Sequence, residues 1–206
     1  MVKVKVCGIT NLLDAEKALE LGADALGFNF YPPSPRRIAA ADARAIIENI
    51  PQSCWNVAVF VNEPKETVDH VLEAVNGEGR GFSHLQFHGE ETAGYCRRFD
   101  LEIIKAFRLR EKRSLANIKN FPADFYLLDS WSPGFGGSGD SFPWEWLDNI
   151  DTSKLILSGG LHAGNVVDAI RRVRPYGVDV CSGVEASPGI KDHEKLKEFI
   201  IAAKNA

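Results

Sequence analysis

The chain is expected to fold as a near-minimal (β/α)8 barrel. Three observations predict this: a length of 206 residues with ordinary globular composition, eight short β-rich runs spread along it, and a stretch of helical periodicity after nearly every run. Alternating β and α units of this kind define a parallel sheet with helices outside it. Eight units in so few residues leave room only for short helices and few insertions. An open, doubly wound sheet is the other arrangement of the same units.

The runs are VKVKV (2–6), DALGFNF (24–30), WNVAVFV (55–61), FSHLQF (82–87), EIIKAF (102–107), DFYLLD (124–129), KLILSG (154–159) and VDVCSG (178–183). Between them lie NLLDAEKALELG, AADARAIIENI, PKETVDHVLEAV, EETAGYCRRF and AGNVVDAIRRV, and DHEKLKEFIIAAK closes the chain. The sixth helix rests on PWEWLDNI alone, which is a weak pattern. With 45% hydrophobic and 25% charged residues the chain can bury a full core. No low-complexity linker or composition shift divides it, so residues 1–206 read as one domain.

A net charge of −4 gives no overall positive field, so an anionic ligand must be held by local groups and nucleic acid is not an expected partner. The opening MVKVKVCGIT enters a strand pattern with no apolar leader, and no apolar run reaches the ~18 residues of a membrane span. The four cysteines, Cys7, Cys54, Cys96 and Cys181, have neither CxxC nor zinc-like spacing. These features fit a reduced, cytoplasmic protein without metal, nucleic-acid or membrane partners.

Barrels of this type place ligands where the strands end and the βα loops begin. The polar and glycine residues of this chain gather at those positions. Gly159 and Gly160 follow strand 7, and Ser182 and Gly183 end strand 8. The loops after these two strands commonly hold a phosphate on backbone N–H groups beside a short extra helix, here expected over 184–187. The same GG and SG pairs also serve as plain turn residues. The glycine-rich loop after strand 6, 133–140, reads as a mobile lid.

Cys7 ends strand 1 and Asp129 ends strand 6. Alternation places Lys5 beneath Cys7, and Asp179 of strand 8 is expected to face inward and pair with Lys5. A cation about 7 Å down the strand favours a thiolate, which an unperturbed thiol of pKa ~8.5 forms only slightly at neutral pH. Cys7 can equally be a small buried hydrophobe, and Asp129 a turn cap before Ser130. Arg36, after Pro32, Pro33 and Pro35, is a stiffly held guanidinium suited to a carboxylate; Arg37 reads as a solvated neighbour. His88 at the end of strand 4 receives no chemical role.

The chain resembles the phosphoribosylanthranilate isomerase family along its whole length. The resemblance rests on Lys5-Val6-Cys7-Gly8-Ile9-Thr10, Gly22 to Phe28 with Ser34-Pro35-Arg36, Gln86-Phe87-His88-Gly89, Leu128-Asp129-Ser130 and Gly136-Gly137-Ser138-Gly139. It continues through Ser158-Gly159-Gly160-Leu161, Arg174 to Val180, Ser182-Gly183-Val184-Glu185, Ser187-Pro188-Gly189 and Lys191-Asp192-His193. Two positions depart from the family pattern: Phe87 stands where Leu is common, and a basic residue is often found near Asp140.

The resemblance implies a TIM barrel that performs an Amadori rearrangement of a small phosphosugar in tryptophan biosynthesis without a cofactor, as a monomer or homodimer. It implies Asp129 as general acid and Cys7 as general base. Arg36 would bind the anthranilate carboxylate, Gly159, Gly160, Ser182 and Gly183 the phosphate, and Asp179 the sugar hydroxyls. That last role competes with a Lys5 pairing. Two other readings stay open on the residues: a Schiff-base aldolase using Lys105, and a non-catalytic phosphosugar-binding barrel.

Overall fold

The computed structural model describes residues 1–77, 79–118, 121–130 and 141–206. Eight parallel strands close on themselves in chain order: β1 (Lys3–Cys7), β2 (Ala25–Asn29), β3 (Trp55–Phe60), β4 (His84–Phe87), β5 (Glu102–Leu109), β6 (Phe125–Ser130), β7 (Leu155–Leu157) and β8 (Gly177–Val180). β1 pairs with both β2 and β8, so the sheet has no edge and the open doubly wound alternative is excluded.

Alternation along each strand sorts its residues. Ala25, Val57, Val59, Ile104, Ala106, Leu127 and Ile156 fill the barrel interior. Residues of the other parity, among them Val4, Val6, Leu26, Phe28, Ala58, Phe60, Leu128 and Val178, join the helices in the larger core. Phe87 belongs to this outer set, fully buried against Phe60, Tyr95 and Phe99, where an aliphatic side chain would also fit.

Helix starts follow local capping chemistry. Asn11 accepts a hydrogen bond from the Asp14 N–H to begin α1 (Leu12–Glu20), and α2 (Ala40–Asn49) and α3 (Lys65–Val75) follow β2 and β3. Thr92 caps a single turn, α4 (Ala93–Cys96), much shorter than the sequence pattern suggests. α5 (Val166–Val173) ends at Arg174 in the left-handed conformation. Asp192 caps α6 (His193–Lys204), whose buried Leu196, Phe199, Ile200 and Ala203 lie at helical spacing. Among the described residues after β5 and β6 the barrel carries 3₁₀ turns, Lys112–Asn117 and Trp144–Leu147, and no α-helix. The second follows Pro143 and buries Leu147, so PWEWLDNI forms a short turn and not the helix its pattern weakly suggests.

The loop after β8 corrects one expectation. The extra helical turn is a 3₁₀ turn at Ser182–Val184, while β9 (Glu185–Ser187) and β10 (Ile190–Lys191) form an antiparallel hairpin. Pro188 and Gly189, the latter at φ 84°, supply the reversal, so residues 185–187 are extended rather than helical.

This hairpin ties the end of the chain to its beginning. Buried Asp14 accepts from the Lys191 N–H at 2.9 Å and from Asn11 Nδ2 at 2.8 Å, and lies 2.8 Å from His193 Nε2. Lys204 pairs with Asp24 on the loop into β2.

Aromatic rings floor the barrel at the strand starts. Trp55 stacks on His84 with centroids 4.0 Å apart, and Phe125 lies 5.0 Å from both Trp55 and Tyr176. Burial lowers the His84 pKa to about 4, with Asp124 opposing weakly. Below the unfolded pKa of ~6.5 the unfolded chain therefore binds more protons at this site than the folded one. Stability should be full above pH ~6.5 and decline as pH falls towards 4, by about 2 kcal/mol after allowance for partial solvation. Urea midpoints at neutral and acid pH measure this. His84→Phe should flatten that segment of the profile, and an unchanged slope would refute the assignment.

Candidate active site

The carboxyl ends of the strands open on one cavity. Cys7, Arg36, Asp129 and Asp179 line it, as do Gly159, Gly160, Ser182 and Gly183, so topology brings together every site residue expected from the sequence. Asn29, Gln86, His88, Ser130 and Ser158 also line it and were given no role at that level. The expected lid, 133–140, and Asp140 within it lie outside the described residues.

Cys7 sits at the rim of an interior charge pair. β1 and β8 align Lys5 with Asp179, and Lys5 Nζ lies 2.6 Å from Asp179 Oδ1, both side chains being buried. Ser158 Oγ donates to Asp179 Oδ2 at 3.1 Å. Burial would depress the Lys5 ammonium, but Asp179 and Cys7 outweigh it and hold it above its usual range. The Cys7 thiol is pulled down to about 6, first by a hydrogen bond from Cys181, against the opposing effect of burial, and then by Lys5 and Lys191. Cys181 is correspondingly raised by that bond and by burial. Gly27 on β2 makes the space: a Cβ there would stand 2.8 Å from Cys7 Sγ and 3.1 Å from Lys5 Nζ.

Asp129 is buried, and one oxygen accepts from the Ser130 N–H at 2.8 Å, the local turn contact that its position suggests. The other oxygen faces His88 Nε2 at 3.2 Å, an ion-pair separation without hydrogen-bond alignment. Gln86 Nε2 in turn lies 3.0 Å from His88 Nδ1. His88 is thus the imidazole beside the carboxyl. Only its place at a strand end hinted at this.

Arg36 is held by a carboxylate 149 residues away. Its Nε donates to Glu185 Oε1 at 2.9 Å and its Nη2 to Oε2 at 2.6 Å. Burial would raise the Glu185 carboxyl, but Arg36 and Lys191 hold it below its usual range. Lys191, whose side chain is fully buried, donates to Glu185 Oε1 at 3.1 Å and to the Cys7 carbonyl at 2.6 Å. The bidentate pair fixes the guanidinium plane and leaves its Nη1 side for a ligand. Arg37 is exposed, as expected.

Between β7 and β8 the backbone itself is the binding surface. Among the described residues, no group accepts a hydrogen bond from the N–H of Gly159, Gly160, Ser182 or Gly183. A Cβ at Gly183 would fall 2.1 Å from the Leu161 carbonyl oxygen, so only glycine lets the two loops meet. Four unengaged donors at one wall suit the oxygens of a phosphate.

Lys105 is elsewhere. It points away from the cavity, and its Nζ donates to the carbonyls of Phe87 (3.2 Å), Gly89 (2.7 Å) and Ala106 (3.0 Å) and to Glu91 Oε2 (3.2 Å). An ammonium so engaged anchors the loop after β4 and is no amine nucleophile, which removes the Schiff-base reading.

A thiol, a carboxyl, an oriented guanidinium and a wall of backbone donors at the carboxyl end of a closed barrel define a (β/α)8-barrel enzyme built for a small ligand bearing separate anionic groups. The model of the N-(5'phosphoribosyl)anthranilate (PRA) isomerase family matches residues 4–202, and the chain belongs to that family.

The N-(5'-phosphoribosyl)anthranilate isomerase of Trichlorobacter lovleyi is 46% identical over 209 residues, covering all of both chains. The solved phosphoribosyl anthranilate isomerase of Thermotoga maritima is 44% identical with a TM-score of 0.88, again over the full length of both, and a second Thermotoga structure describes its enzyme as dimeric. A third structure, 42% identical with a TM-score of 0.84 and full coverage of both chains, holds reduced 1-(o-carboxyphenylamino)-1-deoxyribulose 5-phosphate.

Proposed function

We propose that this chain converts N-(5'-phosphoribosyl)anthranilate to 1-(2-carboxyphenylamino)-1-deoxyribulose 5-phosphate, the isomerisation step of tryptophan biosynthesis, with Asp129 as general acid and Cys7 as general base. The observation that carries this reading is that Cys7 and Asp129, from strands far apart in the chain, line one cavity, with Cys181, Lys5 and Lys191 beside Cys7 lowering its thiol pKa.

Asp129 protonates the furanose oxygen, the C1–O bond breaks, and the anilino nitrogen takes up the positive charge as an iminium. That charge acidifies C2. The Cys7 thiolate removes the C2 proton to give an enolamine; the Cys7 thiol then returns a proton to C1 while the C2 hydroxyl gives up its own to the Asp129 carboxylate, which leaves a ketone at C2 and restores both groups. One acid and one base suffice, each worth about 10²–10⁴ in rate.

Arg36, with its plane fixed by Glu185, takes the anthranilate carboxylate. The N–H groups of Gly159, Gly160, Ser182 and Gly183 take the phosphate. Asp179 keeps Lys5 in place, and each of its oxygens retains a second lone pair for a sugar hydroxyl. The chain works as one domain spanning 1–206, in the cytoplasm, as a monomer or homodimer. No helix among the described residues is long and apolar enough to cross a membrane.

The test is loss of substrate fluorescence with the purified chain in chelator-treated buffer. The expected result is turnover in the ordinary enzyme range of about 1–10³ s⁻¹, with an acidic limb in kcat/KM near the Cys7 value of about 6. Tight binding without turnover would refute the reading.

A further inference from the structure

The acid–base scheme uses Cys7 and leaves Cys181 as a hydrogen-bond donor, yet the fold has made these two thiols neighbours. β1 and β8 pair Val6 with Val180, and Cys7 and Cys181 are the next residue along each chain. Adjacent strands run about 4.8 Å apart, inside the ~4.4–6.8 Å Cα separation of a disulfide. One buried ammonium fixes both backbones: Lys191 Nζ lies 2.6 Å from the Cys7 carbonyl oxygen and 3.5 Å from that of Cys181. The Cys181 sulfur lies against the peptide following Cys7, 3.1 Å from where a Cβ on Gly8 would stand. Both residues line the same cavity, so a small solute reaches them together.

We propose that Cys7 and Cys181 form a redox pair, which a hydroperoxide converts to a disulfide and a dithiol restores. The Cys7 thiolate attacks one peroxide oxygen and the O–O bond breaks. The leaving hydroxide takes a proton to become water, and Cys7 becomes a sulfenic acid. Cys181 then attacks the Cys7 sulfur: the S–S bond forms, the S–O bond breaks, and hydroxide leaves as water with the Cys181 proton. The two thiols are oxidised by two electrons in all, and one peroxide is reduced to two waters. A dithiol reverses this by exchange, ending as its own cyclic disulfide.

Cys7 supplies the low-pKa attacker and Cys181 the resolving thiol, the pairing that peroxide-sensitive sites require. Cys54 and Cys96 lack this character, since burial pushes both thiols up. Bond formation needs the two thiols side by side and does not need Cys7 to be the base. The loss of turnover that follows rests on reading Cys7 as the base.

The wild-type chain should be treated with hydrogen peroxide, mapped by peptide mass spectrometry without reduction, and assayed for isomerase turnover before and after dithiothreitol. A linked Cys7–Cys181 peptide, two hydrogens lighter than its parts, is expected, with turnover lowered more than about tenfold and recovered by dithiothreitol. A Cys54→Ser/Cys96→Ser chain should form the same link. Cys181→Ser should instead carry Cys7 to sulfinic acid, which dithiothreitol does not reverse. Peroxide inactivation of the wild type with sulfinic Cys7 and no linked peptide would overturn the pair while leaving Cys7 as base. A linked peptide with undiminished turnover would uphold the pair and remove Cys7 from catalysis.

Discussion

Cys7→Ser and Asp129→Asn are each expected to lower kcat by about 10²–10⁴ while leaving the affinity for a reduced product analogue within a few-fold of wild type. The reasoning is that both groups act in proton transfer, whereas the ligand is held by Arg36 and the N–H groups between β7 and β8. A serine hydroxyl is not ionised at neutral pH, and neither Lys5 nor Cys181 can make it so. The residual rate of Cys7→Ser should therefore lose the acidic limb near pH 6. Asn at position 129 keeps the shape and the contact to the Ser130 N–H but carries no acidic proton. Single-turnover kinetics with calorimetric binding of the analogue separate these effects. Near-normal kcat in either variant would remove that residue from the mechanism.

Lys5→Met should have the largest effect on stability, about 3–5 kcal/mol, because it leaves the Asp179 carboxylate buried without its cation at 2.6 Å. The same change takes a positive charge away from Cys7, so the acidic limb of kcat/KM should move upward from about 6. Adding Asp179→Asn removes the orphaned charge and should recover much of the lost stability, but it cannot return the cation to Cys7. Urea melts of both chains together with a pH–rate profile distinguish the two consequences. Equal stability of Lys5→Met and wild type would mean that the pair is not the anchor its burial implies.

The strands were legible because each is a short run rich in β-branched and apolar side chains, and eight such runs admit few closures. The gathering of Cys7, Asp129, Arg36 and the glycines followed from topology: once a barrel closes, its strand ends must meet. Even the Lys5–Asp179 pair could be read ahead, since both positions share a parity and a depth. What stayed hidden has no local period. Glu185 reaches Arg36 across 149 positions, and Lys191 reaches Cys7 across 184. Nothing in SGVEASPGIK announces that a hairpin will return a lysine to the carboxyl end of the first strand. The 3₁₀ turns after β5 and β6 were equally illegible, because their shape is set by the room left beside the barrel. His88 was visible only as a polar residue at a strand end, and its contact with Asp129 needs the spacing of β4 against β6.

The Lys191 clamp also bears on the order in which the molecule becomes competent during synthesis. The thiol sits on β1, but the ammonium that grips its carbonyl is made 184 residues later, and the glutamate that aligns Arg36 follows that arginine by 149. A nascent chain can lay down seven strands and still have no working centre. A chain stopped before Glu185 would hold all eight strands and yet leave Arg36 and the Cys7 carbonyl without the partners that the β9–β10 hairpin brings.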